Sequence, residues 1–288
     1  MTSERTAKVA FVLPGGGSFG AIQIGMLKAL VNHGIKPDFI VGASVGAFNS
    51  AYFAARPDAD GVAGMETIWR GLKRQDVFPT SLATLWQFLR HGKFEVATSG
   101  LQGLIEAHLP YRLIEDAPLP LHILATDFVT GAPVVMSKGP VCEAILASSA
   151  VPAAFAPVKI GDRYLIDGAM ASKTPLLVAA DLGATRIVLL PVGFACANTE
   201  PPRGSIAHAI HALTLMMARQ LLADVRLLGT SVEISVVPPL CPLAGSPHNF
   251  SQTAPFIERA YASTSTWLDR GHHNSCVIPE AMFAHGHA

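Results

Sequence analysis

Charge is scarce in this chain. Only 15% of its 288 residues are Asp, Glu, Lys or Arg, and 21 acidic against 21 basic residues leave a formal net charge of +0. That balance gives no basic footprint for nucleic acid. Cysteine is scarce as well: Cys142, Cys196, Cys241 and Cys276 are widely scattered with no C-x-x-C pair. A disulfide framework is therefore not expected, and reduced thiols in a cytoplasmic setting are. No apolar run is long enough to span a bilayer, the best one (Leu176 to Ala197) being broken by Asp181, Gly183, Arg186 and Pro191. The run Val9 to Leu13 stops at Pro14, too short for a secretory signal. Repeats, low-complexity tracts and clear linkers are absent too. Histidine is plentiful but badly spaced for a metal. His208 and His211 lack a third ligand nearby, while His272-His273 and His285-Gly286-His287 read as exposed turn and tail, so neither a metal nor a cofactor is expected.

Hydrophobic residues make up 50% of the chain, enough to bury a large core in one α/β domain. Low charge with positive mean hydropathy fits apolar surface for lipid contact, and large buried helices equally well. Apolar runs predict strands at Ala7 to Leu13, Pro37 to Val41, Leu121 to Thr126, Pro133 to Met136, Arg186 to Val192 and Val232 to Val237. A hairpin over Val158 to Asp167 turns at Gly161-Asp162. Helical patterns cover Ala21 to His33, Met65 to Leu72, Ser81 to Arg90, Ser99 to Leu109, Val141 to Ser148, Pro175 to Asp181, Ser205 to Leu228 and Thr253 to Asp269. Strands alternating with helices imply a mostly parallel central sheet covered on both faces.

The most informative segment is Gly42-Ala43-Ser44-Val45-Gly46, which follows the apolar run Phe39-Ile40-Val41 and precedes a small-residue helix pattern from Ala47 to Ala55. A G-x-S-x-G between strand and helix places a serine hydroxyl at the apex of a tight turn, aimed into a cleft at a helix N-terminus. Ser44 is the candidate nucleophile; an isolated match would be read as a small-residue N-cap. A second glycine run, Gly15, Gly16, Gly17 and Gly20, also satisfies the dinucleotide fingerprint between a strand and a helix. That rival needs an acidic residue near the end of the second strand, whereas Asp38 stands at its start and the exit is taken by Gly42 to Gly46. Both loops lie at the carboxyl ends of neighbouring strands, so the glycine run and Ser44 should face one crevice. Backbone N–H groups beside a nucleophilic serine suit an oxyanion hole.

A nucleophilic serine needs a base. His248, His272 and His273 qualify by position, yet none follows a strand closely. Asp167 does: it ends Arg163-Tyr164-Leu165-Ile166 and is followed by Gly168-Ala169. Asp-Gly is also a common turn. An ordinary aspartate, with a pKa of about 3.9, is a feeble base for a hydroxyl, so a dyad would require burial against neighbours such as Ile166, Ala169 and Met170. Between the two, Trp69, Leu85, Trp86, Phe88 and Leu89 could line an acyl channel or touch a bilayer; helical spacing favours core. Met216-Met217 is assigned to packing.

With Gly15 to Gly20, Gly42 to Gly46 and Asp167-Gly168-Ala169 in this order, the chain resembles the patatin-like phospholipases, a family of lipid acyl hydrolases. The stretches Ala125-Thr126-Asp127 with Thr130-Gly131, and Ala147-Ser148-Ser149-Ala150-Val151-Pro152, resemble it too. The resemblance covers residues 8–181 as a catalytic core, with 182–288 read as a continuation of the same α/β domain. It implies a three-layer α/β/α fold, a Ser44–Asp167 dyad with no histidine, no metal, and a lipid or acyl-ester substrate. The low charge and the aromatic run leave room for peripheral membrane contact. Where Phe19 stands, many members carry Arg or Lys. A transacylase of related fold would place histidine where Ala43 stands, and a non-catalytic nucleotide- or lipid-binding protein would use the glycine loop alone. The sequence carries no sign of oligomeric state.

Overall fold

The computed structural model describes residues 7–77, 98–152, 154–198, 200–202, 204–229, 231–274 and 277–285. The expected helix at Ser81 to Arg90, with Leu85, Trp86, Phe88 and Leu89, lies outside the described residues, as do Cys276, Gly286 and His287.

Eight strands form one sheet: β1 (Val9–Leu13), β2 (Phe39–Ala43), β3 (Leu121–Asp127), β4 (Pro133–Met136), β5 (Val158–Ile160), β6 (Arg163–Asp167), β7 (Arg186–Leu189) and β8 (Glu233–Val236). The helices, in chain order, are α1 (Gly20–Asn32), α2 (Val45–Ala55), α3 (Ala59–Gly71), α4 (Arg74–Val77), α5 (Ser99–His108), α6 (Val141–Ser148), α7 (Pro175–Asp181), α8 (Ser205–Leu228) and α9 (Thr253–Asp269). β3, β2, β1, β7 and β8 run parallel, and β4, β5 and β6 are antiparallel additions beyond β3. The expected α/β fold with helices on both faces is what forms. Its cause is legible along each strand, where neighbouring side chains point to opposite faces. Phe11, Leu13, Ile40 and Val188 enter one core; Ala10, Val12, Phe39, Val41 and Leu189 enter the other. α1, α2, α3 and α9 cover the first face, and α7 and α8 the second.

β2 runs two residues beyond the expected Val41, because Gly42 and Ala43 still pair with Ile123 and Leu124. The strand thus ends immediately before Ser44. β3 is longer than its partners and has three of them. Leu124 pairs with Ala43 of β2 and with Val135 of β4, and Ala125 pairs with Asp167 of β6 and with Val134 of β4. β4 therefore fills one edge of β3, while β2 and β6 divide the other edge between them. Since β2 is parallel and β6 antiparallel to β3, their carboxyl ends meet head to head at Leu124 and Ala125.

Candidate active site

That meeting point sets the geometry of the site. Ser44 is the first residue after β2 and Asp167 the last of β6, so one ladder brings together two residues 123 positions apart in the chain. Ser44 has φ 55° and ψ −129°, and among the described residues it is the one non-glycine residue with positive φ. Such a conformation costs on the order of 1–3 kcal/mol and persists only where the surroundings enforce it. Here they do. The Ser44 N–H donates to Ser148 Oγ at 2.8 Å, and the Ser148 hydroxyl donates to the Leu124 carbonyl at 2.6 Å. Gly46 lies so close beneath the first strand that a Cβ would sit 2.0 Å from the Leu13 carbonyl oxygen. The positioning role of Ser148 was missed in the sequence; its serine-rich stretch was visible, its partner was not.

Asp167 is 2% exposed. Its Oδ1 accepts the Ala169 N–H at 2.9 Å, and Thr126 Oγ1 donates to its carbonyl at 2.7 Å. Its Oδ2 is buried without a partner of good hydrogen-bonding geometry. Burial raises the carboxyl pKa from 3.8 to about 6, and the neighbouring Ser44 hydroxyl and the Ala169 amide offset that rise only in part. The burial that a carboxylate base requires is therefore present. Of the histidines, His248 lines the same cavity, where burial and Arg74 hold its imidazole below the ordinary value. His273 lies away from the site, its carbonyl taking hydrogen bonds from Arg186, the first residue of β7, and from Ser235 of β8.

The glycine run divides by function. Gly16 and Gly17 line the cavity with Ser44, and no described residue accepts from their amides. Gly15 approaches so closely that a Cβ would lie 2.8 Å from Ser44 Cβ. Gly20 was expected among the oxyanion donors, and the structure removes it: its N–H already bonds the carbonyls of Gly17 and Ser18. Glycine is needed there for packing, since a Cβ would meet Val45 Cγ2 at 2.5 Å. Both ends of the loop are held by a buried amide network. Gln23 Nε2 donates to the Pro14 and Leu190 carbonyls, Asn49 Nδ2 donates to the Gly20 carbonyl and to Gln23 Oε1, and Trp69 Nε1 donates to Asn49 Oδ1. At the far end of the sheet, Asp38 accepts the Val9 N–H at 2.7 Å, well away from the glycine loop and unsuited to a ribose.

Over Ser44 and Asp167 opens a cavity of about 240 Å³ whose other walls are largely apolar, among them Phe48, Trp69, Leu101, Phe155, Leu213 and Met217. Trp69 is both core, stacked on Phe250, and cavity wall. The assignment of Met216-Met217 to packing needs correction. Met216 is exposed, and Met217 lines the cavity, because one face of α8 closes it.

A family model described as patatin-like phospholipase matches residues 11–180. The chain belongs to the patatin-like phospholipase family. Among its relatives, an uncharacterized NTE family protein of Mycobacterium tuberculosis is 29% identical over 168 residues, covering 58% of this chain and 27% of that protein. Patatin-like phospholipase domain-containing protein 7 of Mus musculus is 29% identical over 188 residues, covering 64% of this chain and 14% of that protein. The chain thus spans about a quarter or less of these two relatives. In a solved structure, VipD from Legionella pneumophila aligns over 92% of this chain and 67% of its own, with a TM-score of 0.47 and 15% identity. Phe19 stands where the family resemblance leads to the expectation of a basic residue. It is buried against Phe256, edge to face, on the core side of the loop. This position offers no charge to the site.

Proposed function

We propose that the chain is a serine lipid acyl hydrolase that works through a Ser44–Asp167 dyad. The observation that carries this reading is the strained Ser44 elbow beside a buried carboxyl with a pKa raised to about 6. Asp167 takes the hydroxyl proton as Ser44 Oγ attacks the ester carbonyl. The amides of Gly16 and Gly17 hold the oxyanion, and collapse expels the alcohol, which leaves with the proton carried by Asp167. Water, deprotonated by the same carboxylate, then attacks the acyl-enzyme and releases the fatty acid and Ser44. A fluorophosphonate probe tests the first step: covalent labelling at Ser44 is expected, and well-folded protein that stays unlabelled points instead to a non-catalytic nucleotide- or lipid-binding protein. Acyl transfer to an added alcohol in preference to water identifies a transferase.

The apolar walls favour an acyl chain in the cavity. Burying one methylene contributes about 0.8 kcal/mol, so kcat/KM for p-nitrophenyl esters rises by up to roughly fourfold per added carbon until the cavity is full. Met217→Trp narrows it and moves the plateau to shorter chains; a preference for the shortest ester in the unmodified protein counts against an acyl cavity. Because the base must be ionised, kcat/KM also rises with pH through about 6 and levels above it. A profile that is flat from pH 5 to 8 removes Asp167 from the role.

No helix among the described residues is long and apolar enough to cross a membrane. Phe128 and Val129, exposed at the β3–β4 turn, support peripheral contact with lipid.

A further inference from the structure

Cys196, Cys241 and His285 come from three separate segments and meet at one point. Cys196 lies in the loop after β7, Cys241 in the loop after β8, and His285 in the C-terminal segment. Their ligand atoms all lie within 4.8 Å of one another. Cys196 Sγ is 3.9 Å from Cys241 Sγ, and Cys241 Sγ is 3.1 Å from His285 Nε2. A tetrahedral zinc site, with Zn–S near 2.3 Å and Zn–N near 2.05 Å, has ligand edges of about 3.8 Å between sulfurs and about 3.5 Å from sulfur to nitrogen. These two separations need shifts of only a few tenths of an ångström to match, and the Cys196–His285 separation stays within 4.8 Å.

Two further contacts suit metal ligation. His285 Nδ1 sits 2.7 Å from the Phe283 carbonyl, so a proton on Nδ1 leaves the Nε2 lone pair turned toward the sulfurs. The Leu243 N–H donates to Cys196 Sγ at 3.4 Å, a contact that stabilises a thiolate. The sulfur separation also exceeds a disulfide bond by almost 2 Å. The reading of His285 as exposed tail is thereby corrected: it is half-buried and part of this cluster.

We propose that Cys196, Cys241 and His285 bind one Zn²⁺ ion, with both cysteines as thiolates and water in the fourth position beside the exposed Cys241. None of the three lines the cavity over Ser44, so the proposal stands apart from the hydrolase reading. The ion ties the loops after β7 and β8 to the C-terminal segment. The second of these loops carries the Ser246 and Pro247 carbonyls, which accept from Ser18 Oγ and from the Ser18 N–H in the glycine loop. A metal there braces the loop from behind.

The test uses the full chain, purified without an affinity tag. Metal analysis should find one Zn²⁺ per chain, chelation should lower Tm, and added Zn²⁺ should restore it. Co²⁺ in its place should give thiolate charge-transfer and tetrahedral absorption bands. Cys241→Ser and His285→Ala, both outside the buried core, should each weaken Zn²⁺ binding by at least about tenfold, with circular dichroism unchanged. Failure to bind Zn²⁺ stoichiometrically at micromolar concentration overturns the proposal, as does affinity unchanged in both variants. A Cys196–Cys241 disulfide in metal-free protein as isolated, detected by mass spectrometry, also overturns it and makes the pair a redox couple.

Discussion

In the Ser44→Ala protein, ester turnover falls on the order of a millionfold, the scale lost when a serine nucleophile is removed, and fluorophosphonate labelling disappears. The loss is in chemistry and not in folding. Alanine keeps the Cβ that packs against Gly15 and the N–H that donates to Ser148, so the elbow retains its supports. Near-wild-type melting together with abolished turnover is the expected pair of results. Retained turnover above a hundredth of the wild-type rate would mean that another nucleophile acts.

Asp167→Asn separates activity from stability. Turnover falls by roughly a hundred- to ten-thousandfold with the base gone, yet the protein becomes more stable above pH 6. Below pH 3.8 the carboxyl is protonated whether folded or unfolded, and ionisation does not bear on folding. As pH rises from 3.8 to about 6, the unfolded chain ionises this carboxyl while the folded protein holds it protonated, and the loss of stability is complete once the folded protein ionises it above about 6. The difference of about two pKa units corresponds to stability of about 3 kcal/mol, present at low pH and lost at neutral pH. An asparagine carries no charge to bury, and its oxygen can still accept the Ala169 N–H. Thermal unfolding followed from pH 3.5 to pH 8 should show the variant gaining several degrees over the wild-type at pH 8, about half as much at pH 5 and almost nothing at pH 3.5. A gain independent of pH would show that burial of charge is not what destabilises Asp167.

The motifs of the site could be read in the sequence because each is local. A strand, a serine between glycines and a helix of small residues sit within Phe39 to Ala55, and Asp167, Gly168 and Ala169 directly follow their strand. Most strands and helices were legible for the same reason, though their ends were not: α3 begins at Ala59 rather than Met65, and β2 ends at Ala43 rather than Val41. What stayed hidden depends on register or on tertiary approach. Ser148 reaches the Ser44 amide across 104 residues, and nothing in its own neighbourhood marks it. Gly20 looks like its neighbours in the glycine run, and only its hydrogen bonds show that packing is its task. Met217 was assigned to packing because helical spacing cannot say which stripe of α8 faces a cavity. Cys196, Cys241 and His285 escape any spacing rule, because 45 and then 44 residues separate them.

The shared edge of β3 acts as a ruler. The gap between nucleophile and base is set by two adjacent rungs of one backbone ladder, and not by the chain that joins them. Whatever connects α4 to α5, or α5 to β3, can lengthen, shorten or change composition while Ser44 and Asp167 stay in register. Substrate preference is therefore free to drift in those connections without disturbing the chemistry. Loop grafts between residues 78 and 120 should retune chain length or headgroup while leaving the dyad in place, whereas deleting a single residue from β3 should silence every variant alike.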